Sequence, residues 1–215
     1  MFDPVLRRWI DPPLDRAGAW FARRGARANP ATLIGLAVGL LAVPLLAGEH
    51  YGWALLAIAL NRLIDGLDGA IARCSRGGGS AFGGYLDIVC DMVFYGAVPL
   101  GFALARAENA VWAALLLASF LGTAASFLGR AVLAAQRRQA NDGSRGAKSF
   151  FHAAGLIEGS ETIAAFVLFC LFPTAFPWLA AAFSVLCFWT AAARVWEAWR
   201  LNSQDIVAAT ETITH

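Results

Sequence analysis

The sequence predicts an all-α membrane protein: six transmembrane helices preceded by an amphipathic juxtamembrane segment, with both termini cytoplasmic. Three observations carry this expectation. Apolar residues make up 59% of the 215 positions and charged residues only 15%, against about 25% charged in a soluble domain. Apolar stretches of the roughly 20 residues needed to cross a hydrocarbon core recur along the whole length, and mean hydropathy is +0.58. Basic residues crowd one set of connections and are nearly missing from the other.

Residues 1–28 form the first unit. No uninterrupted apolar run follows their arginines, so they do not read as a signal peptide. Val5, Leu6, Trp9 and Ile10 suggest one short amphipathic piece. A second starts at Pro13, a favourable first helical residue, with Leu14, Ala17 and Phe21 on one face and arginines on the other. Trp9 and Trp20 suit headgroup depth. A positive topology anchor with no further role fits the same residues.

The spans follow at 31–48, 52–73, 82–105, 110–136, 156–172 and 178–199. Short connections make residues 29–200 one bundle, the catalytic domain, and 201–215 a polar, aperiodic tail expected to be mobile. An even number of spans puts both termini on one side. That side carries Arg7, Arg8, the arginines of 16–27, Arg73, Arg76, Arg137, Arg138, Arg145, Lys148 and Arg200; the other has only Arg106, beside Glu49 and Glu108. The positive side is the cytoplasm. Cys74, Cys90, Cys170 and Cys187 show no CxxC spacing, so neither zinc nor a disulfide framework is indicated. A single lysine against sixteen arginines, with abundant alanine, suggests a GC-rich bacterium.

The most informative residues are acids inside spans two and three: Asp65 and Asp68, then Asp87 and Asp91. Each costs roughly 2.5–3.5 kcal/mol near the bilayer centre, so four together demand a partner. Spacings of three and four put each pair on one helix face. At 1.5 Å per residue, Asp65 and Asp91 lie about 12 Å inside the cytoplasmic ends of their spans, and Asp68 and Asp87 about 6–7.5 Å. An antiparallel hairpin therefore brings all four to one depth. Gly69, Ala72 and Gly83 leave space on the same faces. All-carboxylate ligation suits a hard cation, Mg²⁺, Mn²⁺ or Ca²⁺, better than zinc. Arg73, on the face of Asp65 at the membrane edge, is placed to hold a phosphate oxygen. Two blander readings use the same acids. They are neutralised as ion pairs by Arg62, Arg73, Arg130 and Arg194, or they line an ion-translocation path, although none continues toward the far side.

The run Asp65-Gly66-Leu67-Asp68-Gly69-Ala70-Ile71-Ala72-Arg73, followed by Gly83-x3-Asp87-x3-Asp91, resembles the signature of the CDP-alcohol phosphatidyltransferases, D-x2-D-G-x2-A-R-x8-G-x3-D-x3-D. Eight defined positions match. One departure is that nine residues, 74–82, separate Arg73 from Gly83, an extra residue for the loop to absorb. Asn29-x2-Thr32 is similar to a pattern that often opens the family's first span, yet Asn29 reads more simply as a helix N-cap.

The resemblance implies a six-span enzyme working on lipid and not nucleic acid, often a homodimer; with the arginine asymmetry and the composition, this gives a multi-pass protein of a bacterial inner membrane with its site facing the cytoplasm. It implies a CDP-linked donor such as CDP-diacylglycerol and a polar alcohol acceptor. One or two Mg²⁺ ions (or Mn²⁺) would bind at Asp65, Asp68, Asp87 and Asp91. The CDP moiety would lie along Gly69, Ala72 and Arg73, near Gly83. Asp91 is the family's candidate base. With no Ser, Cys or His in the motif to serve as nucleophile, direct transfer is expected.

The acceptor stays open. Arg130, Lys148 and Arg194 would form a basic pocket for a phosphorylated alcohol, glycerol phosphate or inositol phosphate, or they are ordinary positive-inside residues. Glu158 and Glu161, three apart, would receive the ammonium of serine, ethanolamine or choline, or they merely pair with arginines. Arg62, with Asn61, reads as a structural counter-charge, and His152 as interfacial filler. Outside this chemistry stand a divalent-cation transporter or metal-binding membrane protein, and a catalytically lapsed sensor of the nucleotide lipid.

Overall fold

The computed structural model describes residues 3–75, 78–140 and 159–213. Among these the chain is helical throughout: α1 (Asp3–Arg23), α2 (Ala28–Leu40), α3 (Ala42–Ala47), α4 (Tyr51–Cys74), α5 (Ala81–Ala105), α6 (Ala110–Ala140), α7 (Gly159–Leu171) and α8 (Phe176–Ile213), with single 3-10 turns before α6 and α8. Four segments are long and apolar enough to cross a membrane: Ala28–Ala47, Ala81–Ala105, Ala107–Leu133 and Pro173–Arg200. At 24 residues, α4 is long enough as well, but Arg62, Asp65, Asp68 and Arg73 break its apolar run. The expected fifth span is represented by the 13 residues of α7; the residues expected to precede it lie outside the described part, as do Lys148, His152 and Glu158.

Three local expectations are corrected. The N-terminal segment is one helix running through Pro12 and Pro13, not two pieces. Both prolines are exposed, and the turns that follow them are held by packing on α4. The first span is broken at Leu41. Pro44 has no N–H to give to the carbonyl of Leu40, and its ring crowds that carbonyl, which separates α2 from α3. At the other end α8 continues to Ile213 instead of stopping near 199. No Gly or Pro follows Trp199 to end it.

The core is aromatic. Phe102 stacks on Phe176 with centroids 4.3 Å apart, Phe169 meets Phe176 edge-on, and Phe94 meets Phe166 edge-on. Each is fully or almost fully buried. Asn109 donates a hydrogen bond to the Phe102 carbonyl at 3.0 Å, satisfying a buried amide at the turn into α6. Next to α3, Gly48 leads into Glu49 at φ +59°, a left-handed conformation that is unusual for a residue with a side chain.

Helix pairing positions the site. α6 packs chiefly on α8, while both α1 and α2 pack on α4, and α2 also packs on α5. Absent from the close pairings is α4 with α5. The antiparallel α4–α5 hairpin is therefore a splayed pair, with α2 against both partners. Small residues let the backbones approach where they do touch. A Cβ on Gly18 would fall 2.6 Å from the Ala70 carbonyl carbon, and one on Gly39 2.6 Å from the Phe94 ring.

Candidate active site between α2, α4 and α5

The acids gather where α4 ends and α5 begins. Asp65, Asp68 and Asp87 each present a carboxylate oxygen, all within 4.8 Å of one another. The three- and four-residue spacings do what the helix period requires: each pair projects from one face toward the gap between α4 and α5. Asp68 is only 4% exposed, and its Oδ2 has no hydrogen-bond partner. A buried acceptor left unsatisfied costs about 1–3 kcal/mol, more when charged.

Asp91 is held differently. Arg62, one turn before Asp65 on α4, donates from Nη2 to Asp91 Oδ1 at 2.9 Å and from Nη1 to Asp65 Oδ2 at 3.4 Å. Its Nε donates to Asn61 Oδ1 at 2.8 Å, and Asn61 in turn donates to the Gly35 carbonyl of α2 at 2.8 Å. The guanidinium lies 4.6 Å from the centroid of the Phe94 ring. Arg62 is thus the counter-charge the sequence suggested, with its partners now named. A small cavity behind it is lined by Thr32, Gly35, Leu36, Asn61, Arg62, Asp65, Cys90 and Asp91. Cys90 falls inside the Asp87–Asp91 run and lines this cavity.

The positions expected to take the nucleotide lie along the same edge. Gly69 sits beside Arg73, whose Nη1 would be 3.4 Å from an added Cβ. Arg73 is half exposed and donates to Asp15 Oδ1 of α1 from Nη2 at 2.8 Å and from Nε at 3.2 Å. Gly79 approaches Ala72. Gly83 lies in the first turn of α5, where its N–H is capped by Ser80 Oγ at 2.9 Å. A Cβ there would come within 3.1 Å of Asn29 Oδ1. Asn29 is not the N-cap that was expected; Arg27 holds that position, and α2 starts at Ala28. Its amide is turned toward Gly83 instead.

Of the proposed acceptor residues, Arg130 lies on α6, Glu161 on α7 and Arg194 on α8. Arg130 pairs with Glu197 at 2.8 Å. Arg194, buried, donates to the Thr123 carbonyl at 3.3 Å. Glu161 accepts from Ser160 Oγ at 3.0 Å. Lys148 and Glu158 lie outside the described residues. Sequence reasoning did not single out Asp15 or Ser80. Ser80 carries a readable signal, a hydroxyl just before an apolar run, whereas Asp15 is paired to Arg73 by tertiary docking alone.

The donor set suits a hard divalent ion: three carboxylates at close quarters, one buried oxygen without a partner, and no sulfur or imidazole among them.

Comparison with known proteins agrees. The family model described as CDP-alcohol phosphatidyltransferase matches residues 26–199. The chain is 46% identical over 200 residues, 93% of its length and 96% of the relative's, to the inner membrane protein YnjF of Escherichia coli. It is 41% identical over 80 residues, 37% of this chain and 36% of the relative, to the phosphatidylinositol phosphate synthase of Mycobacteroides abscessus. Its fold matches the Mycobacterium tuberculosis phosphatidylinositol phosphate synthase crystallised with CDP-DAG. The TM-score is 0.62 at 23% identity, over 86% of this chain and 93% of that one.

Proposed function

This chain belongs to the CDP-alcohol phosphatidyltransferase family, and from that premise we propose that it moves a phosphatidyl group from CDP-diacylglycerol to a polar alcohol, releasing CMP. The observation that carries the reading is the joining of two arrangements. A three-carboxylate cluster has an unpartnered buried oxygen, and the adjacent Asp91 is fixed by Arg62.

Asp65, Asp68 and Asp87 would hold a divalent cation, Mg²⁺ or Mn²⁺. When bound, it offsets pyrophosphate charge and stabilises the charge that develops on departing CMP. Arg73 would grip a donor phosphate oxygen. Gly69, Ala72 and Gly83 leave the helix edge bare enough for the nucleotide to lie against it. Asp91 would accept the proton of the acceptor hydroxyl as that oxygen attacks the lipid-side phosphorus. The new P–O bond forms as the bond to the CMP oxygen breaks, and CMP leaves with the electron pair. Fixing Asp91 by an ion pair keeps its carboxylate in one position and so serves orientation.

For the acceptor we favour a phosphorylated alcohol, such as inositol phosphate or glycerol phosphate. Support comes from the local similarity to a phosphatidylinositol phosphate synthase and from the basic residues Arg130, Lys148 and Arg194. For topology we favour six crossings of residues 29–200 in a bacterial inner membrane, with both termini and the site cytoplasmic. The arginine asymmetry supports this.

The test is CMP release from CDP-diacylglycerol by purified protein with Mg²⁺, run across a panel of acceptors, with the product lipid read by mass spectrometry. A phosphorylated alcohol should give product, and Asp91→Asn should abolish it. Turnover only with serine, ethanolamine or choline would overturn the acceptor. No CMP from any acceptor, with folded protein, would overturn the reaction.

A further inference from the structure

The reaction proposed above leaves the outer side of α1 unused. Arg16, Trp20 and Arg23 recur at helical spacing opposite Gly18. All three are exposed, as are Phe21 and, at the turn into α2, Arg24 and Arg27. We propose that this side is a docking surface for acidic phospholipid headgroups, and that its occupation holds Asp15 on Arg73 and so restrains donor binding. The inference rests on the phosphatidyl-transfer reading and gives that reaction a regulator.

Contacts with α4 set the direction of α1. Gly18 lies against Ala70 and the tip of Leu14 against Gly66. Asp15 binds Arg73, and its carbonyl accepts from the Cys74 thiol at 3.8 Å. Neighbouring residues of α1 thus reach positions about 11 Å apart along the axis of α4. Helices lying side by side would not do that, so α1 crosses α4. With α4 spanning the bilayer, α1 runs along the membrane surface. The crossing point at Ala70 is about 6 Å inside the end of α4 at Cys74, the depth of headgroups and upper acyl carbons. Leu14 then points toward the hydrocarbon and Asp15 toward the cytoplasm.

Charge selects the occupant. Asp15 is turned inward to Arg73, and among the described residues none of Arg16, Arg23, Arg24 and Arg27 pairs with a carboxylate. Arg24 lies 3.4 Å from the centroid of the Trp20 ring, and Trp20 meets Phe21 edge-on at 4.8 Å. Cations beside aromatic rings at this depth match headgroup phosphate above and acyl carbons below. Each arginine near an acidic leaflet strengthens the attraction about fivefold. Contact with the rest of the chain holds α1 lightly: between Pro12 and Arg23 the one buried position is a glycine, Gly18. Acidic lipid on the outer side therefore decides how firmly α1 stays seated, and Asp15 moves with it. The product of the reaction carries the same phosphate charge, so the surface reads the class of molecule the enzyme makes.

Hydrogen exchange read by mass spectrometry tests the docking on the purified full chain, in nanodiscs of phosphatidylcholine with and without phosphatidylglycerol. Acidic lipid should slow exchange across residues 12–23 about five- to tenfold, an effect that high salt removes. It should also raise KM for CDP-diacylglycerol about two- to fivefold with kcat little changed. The combined variant Arg16→Gln, Arg23→Gln, Arg27→Gln should show neither response. Asp15→Asn should keep the slowed exchange and lose the rise in KM. Unchanged exchange in the native chain would overturn the docking, as would a combined variant that responds like it; the native comparison stands even where a variant fails to fold. Inorganic phosphate reproducing the protection in neutral discs would assign the surface to a free anion and overturn it too. A rise in KM that survives in Asp15→Asn would overturn the coupling to Arg73. Absence of turnover in every disc would count against the phosphatidyl-transfer reading, while the exchange measurement still decides the docking.

Discussion

Asp15 on α1 accepts two hydrogen bonds from Arg73 on α4, at 2.8 and 3.2 Å, so an acid from the N-terminal segment occupies the arginine that the donor phosphate would use. The pair is about half exposed on both sides, and such pairs contribute roughly 0–1 kcal/mol. Releasing Arg73 should cost the enzyme that much at each donor binding. Asp15→Asn is therefore expected to lower KM for CDP-diacylglycerol about two- to fivefold, with kcat little changed. Initial-rate kinetics across donor concentrations check it; a raised KM would mean that Asp15 helps to aim Arg73.

Docking of α1 depends on Gly18. An added Cβ would lie 2.6 Å from the backbone carbon of Ala70, and backbone cannot step aside. At Gly66 the obstructing atom is the flexible tip of Leu14, at 2.8 Å. Overpacking typically costs about 1–3 kcal/mol. Gly18→Ala should thus lower Tm and expose α1 to protease, while Gly66→Ala should cost less than about 1 kcal/mol. Equal losses in thermal unfolding would show that α1 adjusts as a body, contrary to the close packing seen.

The unpartnered Oδ2 of buried Asp68 makes a prediction with two signs. Without metal, Asp68→Asn removes a buried charge whose Oδ2 has no partner, so Tm should rise. Added Mg²⁺ or Mn²⁺ at 100 times Kd should stabilise native protein by about 2.7 kcal/mol, and the variant should not respond. Activity should fall by 100-fold or more, on the order of 3 kcal/mol in the barrier. Differential scanning fluorimetry with and without metal decides. A metal response that survives in Asp68→Asn would remove Asp68 from the ligand set.

How legible these relations were depends on their range. Helical period put Asp65 with Asp68 and Asp87 with Asp91 on one face each, because i,i+3 and i,i+4 spacing fixes a face whatever the tertiary structure does. The antiparallel order of the two spans, at matching depths, then brought the pairs together. The same period could not separate Asp91 from the other three. That separation comes from Arg62, whose direction is set by Asn61 and a carbonyl 26 positions earlier in the chain. The helix break at Leu41 was written in Pro44 and went unread, because hydropathy is blind to a single proline. Asn29 was misread because a capping residue and a residue turned toward Gly83 have the same local sequence. The docking of α1 on α4 rests on Gly18 and Ala70, both too small to signal anything by hydropathy.

At the far end of the bundle, Glu49 and Arg106 join the turn after α3 to the end of α5 through two hydrogen bonds of 2.9 Å. Arg106 holds the Glu49 carboxyl below its ordinary range, first by hydrogen bonding and then by charge. A carboxyl whose folded pKa is depressed stabilises the fold above its unfolded value, and that contribution is lost as pH falls through the folded one. The stabilisation should be present at pH 7 and fade below about pH 4. It also bears on backbone strain, since Glu49 adopts φ +59° and the clip holds it there. Arg106→Gln should lower Tm at pH 7, and the difference from native protein should shrink to nothing on acidification. Carboxyl ¹³C titration should show the Glu49 midpoint moving up in the variant. Coincident midpoints in the two proteins would mean that the pair does not persist in the membrane-mimicking environment of the measurement.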